Sequence, residues 1–119
     1  MEDLAPGSIV ILHCAAPKEK MWGLLLRLDA VGALVRGMDL DSVEDWLRQE
    51  VGGIDRTLGP STFLVPSHRI VRIDLDESGP VVPGYADRYH AATGRAVKDA
   101  LVRPTHLDAH LGDRDGEVQ

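Results

Sequence analysis

His13, Cys14 and His68 are the soft metal ligands of the strand-rich part of this chain. Zinc would take a thiolate and imidazoles, with an Asp or Glu completing the set. The spacing matches neither Cys-x-x-Cys nor His-Glu-x-x-His. Neighbouring residues of a strand also point to opposite faces, which separates His13 from Cys14. If the first and last strands adjoin, His13 and His68 approach each other. The simpler account is a buried structural cysteine and a strand-end histidine satisfied by a partner. No metal site is assigned.

Carboxylates gather twice, at Asp39, Asp41, Glu44 and Asp45, and again at Asp74, Asp76 and Glu77. Calcium would need a loop with Gly at its sixth position and Glu at its twelfth, and neither group offers that. Helix capping accounts for the first group and a solvated strand end for the second. No nucleophile stands out either. Ser8, Ser42, Ser61, Ser67 and Ser78 all lack the Gly-x-Ser-x-Gly setting. Gly52-Gly53 follows its helix, whereas a phosphate-cradling loop precedes one. These residues point away from an enzyme, and no cofactor is expected.

The cations Lys18, Lys20, Arg27, Arg36, Arg69 and Arg72 could track phosphates if they shared a rim, with Trp22 or Phe63 stacking a base. The alternative is that they lay aliphatic stems over apolar surface and pair with acids such as Asp74 and Asp76. The whole chain carries 13 basic against 19 acidic residues, a net charge of −6. Phosphate binding draws on basic charge, so DNA is excluded and RNA disfavoured. The imbalance is shared with residues 104–119, which hold one base and four acids.

The elements that must position these groups follow from periodicity. The 119 residues suit one domain, and 44% apolar content supplies a core. Ser8 to His13 is a short apolar run between Pro6-Gly7 and Pro17, a buried strand. Met21 to Asp29 alternates with period two, Asp29-Ala30-Val31-Gly32 turns tightly, and Ala33 to Met38 returns. Val43, Trp46, Leu47 and Val51 then switch to helical spacing over residues 41–51. Asp41 is placed to cap this helix and Glu44 to complete a capping box. Trp46 and Leu47 must cover something, either an open end of the same barrel or a neighbouring subunit. Trp22 and Trp46 are thus candidate partner-binding residues.

Thr62 to Val65 and Ile70 to Leu75 read as two more strands, with Pro66-Ser67-His68 a bend or single helical turn between them. Residues 1–80 form the β unit. Residues 81–103 form a C-terminal extension with short helical turns, broken at Thr93-Gly94. Residues 104–119 lack a period and are expected to be a flexible tail. Five short strands in mostly antiparallel order predict a closed or nearly closed barrel, since closure removes exposed edges. The chain is thus read as mainly β, with one short helical insertion. No apolar run reaches the ~18 residues of a membrane span. The acidic Met1-Glu2-Asp3 opening is unlike a signal peptide, and a lone cysteine suits a reducing cytoplasm.

This order, with a one-turn break before the last strand, resembles the Sm-like family and its Hfq-like members. The family's first motif joins Gly-x-Leu to a turn-initiating Asp, which reads here as Trp22-Gly23-Leu24-Leu25-Leu26-Arg27-Leu28-Asp29. The second, Lys-His-x-Ile in Hfq-like proteins, reads as Ser67-His68-Arg69-Ile70. The resemblance covers residues 8–75 and implies a five-stranded Sm/SH3-like barrel. It further implies self-association through strand edges, and RNA as the ligand at His68, Arg69, Arg72, Lys18 and Lys20. The chain departs from the pattern at Ala33, where the family's nucleotide-lining asparagine falls, and at Ser67, in place of the motif lysine. A helix also replaces the usual short link between the third and fourth strands.

Overall fold

The computed structural model describes residues 4–52 and 57–102. Five strands, β1 (Ile9–Cys14), β2 (Glu19–Leu28), β3 (Gly32–Asp39), β4 (Ser61–Pro66) and β5 (Ile70–Leu75), form one antiparallel sheet in the order β4-β3-β2-β1-β5. Helix α1 (Leu40–Gly52) lies between β3 and β4, a 3-10 turn (Ser67–Arg69) joins β4 to β5, and α2 (Tyr85–Thr93) and α3 (Val97–Val102) follow. The mainly β reading, the inserted helix and the one-turn break at Pro66 are all present. The expected flexible tail, residues 104–119, lies outside the described residues.

The β2–β3 hairpin forms where Asp29 turns the chain. Its carboxylate accepts from the backbone N–H groups of Val31 and Gly32, and its own N–H donates to Gly32 O. This is the local side-chain bonding that lets aspartate initiate turns. At the sheet's far ends, β4 and β5 are the two edges, and no ladder joins them among the described residues. They are nevertheless linked by three residues of 3-10 turn. The described sheet is open, its two edge strands joined through that turn, and its inner face is buried by sheet residues alone, which requires the sheet to curl.

Curling requires the middle strands to bend, and two glycines permit it. Gly23 and Gly37 are cross-strand partners in β2 and β3. A Cβ on Gly23 would lie 2.4 Å from Arg36 O, and one on Gly37 would lie 1.9 Å from Trp22 O. Only two residues without side chains let the backbones approach this closely.

Period-two alternation gives the curled sheet two apolar faces. Val10, Leu12, Cys14, Leu25, Ala33, Val35 and Val65 fill the inside. Ile9, Trp22, Leu24 and Met38 face outward, where the three helices cover them. The segment read as an extension contributes to this second core, because Tyr89, Val97, Ala100 and Leu101 are all buried in it. Thr93-Gly94 does break the segment: Gly94 takes φ +76° and closes α2, donating its N–H to His90 O.

Three local expectations are corrected by packing. The buried stripe of α1 runs Val43, Trp46, Leu47 and Glu50, whereas Val51 is exposed. The stripe follows i, i+3, i+4, i+7, which puts position 50 on the sheet side, where Glu50 accepts from Tyr89 Oη at 3.0 Å. Glu44 forms no capping box. It reaches across to Arg88 of α2 in a two-pronged ion pair at 2.5 and 2.8 Å. Asp76 is no solvated strand end. It caps α2, accepting from the N–H groups of Tyr85 and Ala86, and takes the Trp22 indole N–H at 3.1 Å. A carboxylate at a helix N-terminus suits both the dipole and the orphan donors there.

Candidate functional site

Of the residues singled out from the sequence, Lys18, Lys20, His68, Arg69 and Arg72 lie at or beside the 3-10 turn and the β1–β2 loop, and the reason is topological. Cys14, at the end of β1, pairs with Ile70 at the start of β5, so the β1–β2 loop and the turn share one rim. On its other side the turn meets the hairpin, where Ser67 N–H donates to Val31 O at 2.9 Å. The hairpin turn Asp29–Gly32 and the segment Ser67–Ile70 are thereby side by side.

Arg69 is the hub of this rim. Its guanidinium donates to Ala15 O at 3.2 Å, to Pro17 O at 2.9 Å and to Glu19 Oε1 at 2.8 Å. Its backbone O also accepts from Ala15 N–H. A planar five-donor group suits such a task, holding the β1–β2 loop against the turn. Arg69 is thereby half-buried and its charge is matched by Glu19.

Arg72 lies on β5 opposite His13, which in turn lies opposite Lys20 of β2. Lys20, His13 and Arg72 thus stand in a row across three strands. Asp74, two residues along β5, accepts from Arg72 Nε at 3.0 Å and hydrogen-bonds His13 Nε2 at 2.8 Å. The Arg72 guanidinium, with a smaller contribution from His13, holds the Asp74 carboxyl below the usual carboxylate range. Lys18 and His68 are exposed in the loop and the turn, and Lys18, Lys20 and His68 have no ion partner among the described residues.

Of the remaining cations, Arg36 donates to Leu101 O at 2.8 Å and ties α3 to β3, while Arg27 pairs with Asp29. Glu19 and Asp74 decide the rim's electrostatics. Asp74 was legible as an acid near Arg72; Glu19 had no sequence signal, because only the turn brings it beside Arg69.

Trp22 and Trp46 do not present a docking surface: they are 0% and 1% exposed. Trp46 stacks on Tyr89 with ring centroids 5.5 Å apart, and Trp22 meets Trp46 at 5.7 Å and Tyr85 at 6.3 Å. The question left open for α1 resolves in favour of its own chain, with the helix covering the outer face of the sheet. Sequence reasoning missed this because α2, whose Tyr85 and Tyr89 complete the aromatic cluster, comes from the segment read as peripheral.

His13 and Cys14 project to opposite faces of β1, and Cys14 is buried. Burial pushes the Cys14 thiol up, away from the thiolate a nucleophile or a metal ligand needs. Although β1 and β5 pair, His13 faces Asp74 and Arg72, and His68 stays in the turn beyond them. No group of three His, Cys, Asp or Glu residues able to hold a metal occurs among the described residues. None of their helices is long and apolar enough to cross a membrane. Comparison with protein-family models, curated proteins and solved structures finds no match.

The acid response of this rim follows from Asp74. A carboxyl depressed in the folded state contributes stability above its unfolded value, and that contribution is lost as pH falls through the depressed one. Asp74→Asn is therefore expected to lower the urea midpoint slightly near about pH 6. The difference should close as the medium is acidified below the ordinary carboxylate range. Carbon NMR of the side-chain carboxyls checks the cause: Arg72→Ala should move the Asp74 titration upward.

Proposed function

We propose that this protein is a non-catalytic binding or scaffolding module of the Sm-like small-barrel type. In this reading it works as an assembly, with the edge of β4 in one copy paired to the edge of β5 in the next. The observation that carries the reading is the pair of open edges on one curled sheet. Both display exposed apolar residues, Leu64 on β4 and Val71 on β5. Natural proteins blunt free edges with charge, proline or cover. Here Pro66 closes only the last position of β4, and Arg72 is the one cation in β5. Edges left in this state suit pairing with another strand.

RNA is the ligand the resemblance implies, and local charge weighs against it. Two of the five residues it would use, Arg69 and Arg72, already have carboxylate partners. Three groups remain, Lys18, Lys20 and His68, on a chain of net charge −6. A protein-interaction module that binds no nucleic acid is the second reading, favoured by this neutralisation.

Light scattering coupled to absorbance at two ultraviolet wavelengths tests the proposal. The full chain should elute as a multiple of its own mass, and Leu64→Lys or Val71→Lys should each return it to monomer. Wild-type protein that is monomeric at tens of micromolar overturns the edge-pairing reading. Co-purifying nucleic acid, lost steeply with salt, would favour the RNA ligand over the protein one.

A further inference from the structure

Where β3 runs into α1 without a linker, the sheet corner is left unfilled. Met21, Met38, Asp39, Ser42, Leu58 and Phe63 line a half-open cleft there of about 240 Å³. We propose that this cleft is a docking site for the apolar anchor residue of a basic peptide segment on a partner protein.

Size sets the kind of occupant. Sites that enclose a whole drug-sized molecule run to roughly 300–1,000 Å³. A smaller, open cleft takes one large side chain and leaves the rest of its owner outside. The lining sets the chemistry. Two methionines, a leucine and a phenylalanine supply the apolar half of a mixed lining, and methionine makes that half adaptable enough for a peptide anchor.

Charge sets the flanks. Asp39 stands exposed in the cleft wall, Asp41 is exposed in the first turn of α1, and neither has an ion partner among the described residues. Lys20 is next to Met21 in sequence but projects on the opposite face, beside His13. Lysines or arginines flanking the anchor would meet Asp39 in the wall, with Asp41 adding negative charge two residues further on, and acidic flanks would be repelled.

The wall is also preformed. The Gln49 side chain donates to Leu58 O at 2.6 Å and accepts from the N–H groups of Thr57 and Leu58 at 2.8 and 2.9 Å. Three hydrogen bonds from one amide fix the return segment before β4, so binding need not order it. The proposal is independent of edge pairing and stands if the chain is monomeric.

The test titrates the isotope-labelled full chain with a capped peptide, Lys-Lys-Leu-Lys-Lys, and follows backbone amides by NMR. Saturable shifts are expected at Met21, Met38, Asp39, Leu58 and Phe63. A peptide with central serine, and one with leucine flanked by glutamates, should each bind about tenfold more weakly or worse. Asp39→Lys is expected to weaken the lysine-leucine peptide about fivefold or more, and Ser42→Trp should obstruct it. Both positions are at the surface or half-buried, and circular dichroism confirms that each variant is folded. Four results would overturn the proposal: absence of binding, shifts centred elsewhere, equal binding of either control peptide, or unchanged affinity in both variants.

Discussion

Gly37→Ala is expected to destabilise this chain severely. The added methyl would sit 1.9 Å from Trp22 O and 2.6 Å from Gly23 Cα, both of them backbone atoms. No rotamer change relieves such a contact, so β2 and β3 must separate where the sheet bends. Overpacking alone costs about 1–3 kcal/mol, and opening a central ladder adds to it, for a total of about 4 kcal/mol or more. A domain of this size has roughly 5–15 kcal/mol to lose. The variant should therefore be found largely in the insoluble fraction, or unfold at much lower urea. Gly79→Ala is the matched control, because its new Cβ would meet nothing closer than Val82 O at 3.7 Å. Equal stability of the two variants would contradict the close approach of β2 and β3.

The second large effect is expected at Trp46. Truncation to alanine empties the centre of the outer core and removes the stack on Tyr89 and the tilted contact with Trp22. Burial of a large aromatic is worth about 3–5 kcal/mol in such substitutions, and the ring pairs add about 1 kcal/mol. Trp46→Ala should lower the urea midpoint sharply and collapse the near-ultraviolet circular dichroism, while Trp46→Phe keeps most of the stability. The same experiment separates two roles for α1. A helix holding its tryptophan out for a partner would lose affinity on truncation and keep its stability. The structure assigns Trp46 to the chain's own core, so stability is the quantity that should change.

The two predictions together show how the fold is held. Glycine pairing in β2 and β3 allows the sheet to curl, and curling makes an inside that a small chain can fill with valines and leucines. It also leaves an outside face that needs cover, and α1, α2 and α3 supply it. Arg69 then fixes the rim by tying the β1–β2 loop to the turn between the two edge strands.

Much of this was legible from residue order. Period two over Met21 to Asp29, the turn chemistry of Asp29 to Gly32 and the switch to helical spacing near Asp41 are local properties, and local backbone preferences act on them directly. The same holds for Pro66, whose missing N–H breaks a ladder wherever it falls, and for Ile70 to Leu75, an apolar β-branched run. The five strands and the inserted helix followed from such signals alone.

Tertiary contacts settled everything that depends on which distant segments meet. Asp76 could be read as a solvated strand end because its partners, Trp22, Tyr85 and Ala86, come from both sides of the chain. Glu44 had a capping partner at hand, yet Arg88, 44 residues away, offers a full charge in two-pronged geometry. Position 50 looked polar and position 51 apolar, and the helix face chose position 50 because Tyr89 brought a hydroxyl to it. At the rim, the sequence by itself placed only His68, with Arg69 next to it, at the turn. Asp74 was already on offer as a partner for a nearby cation, but only the structure put Glu19 beside Arg69, because electrostatic partners are set by distance in space and not along the chain.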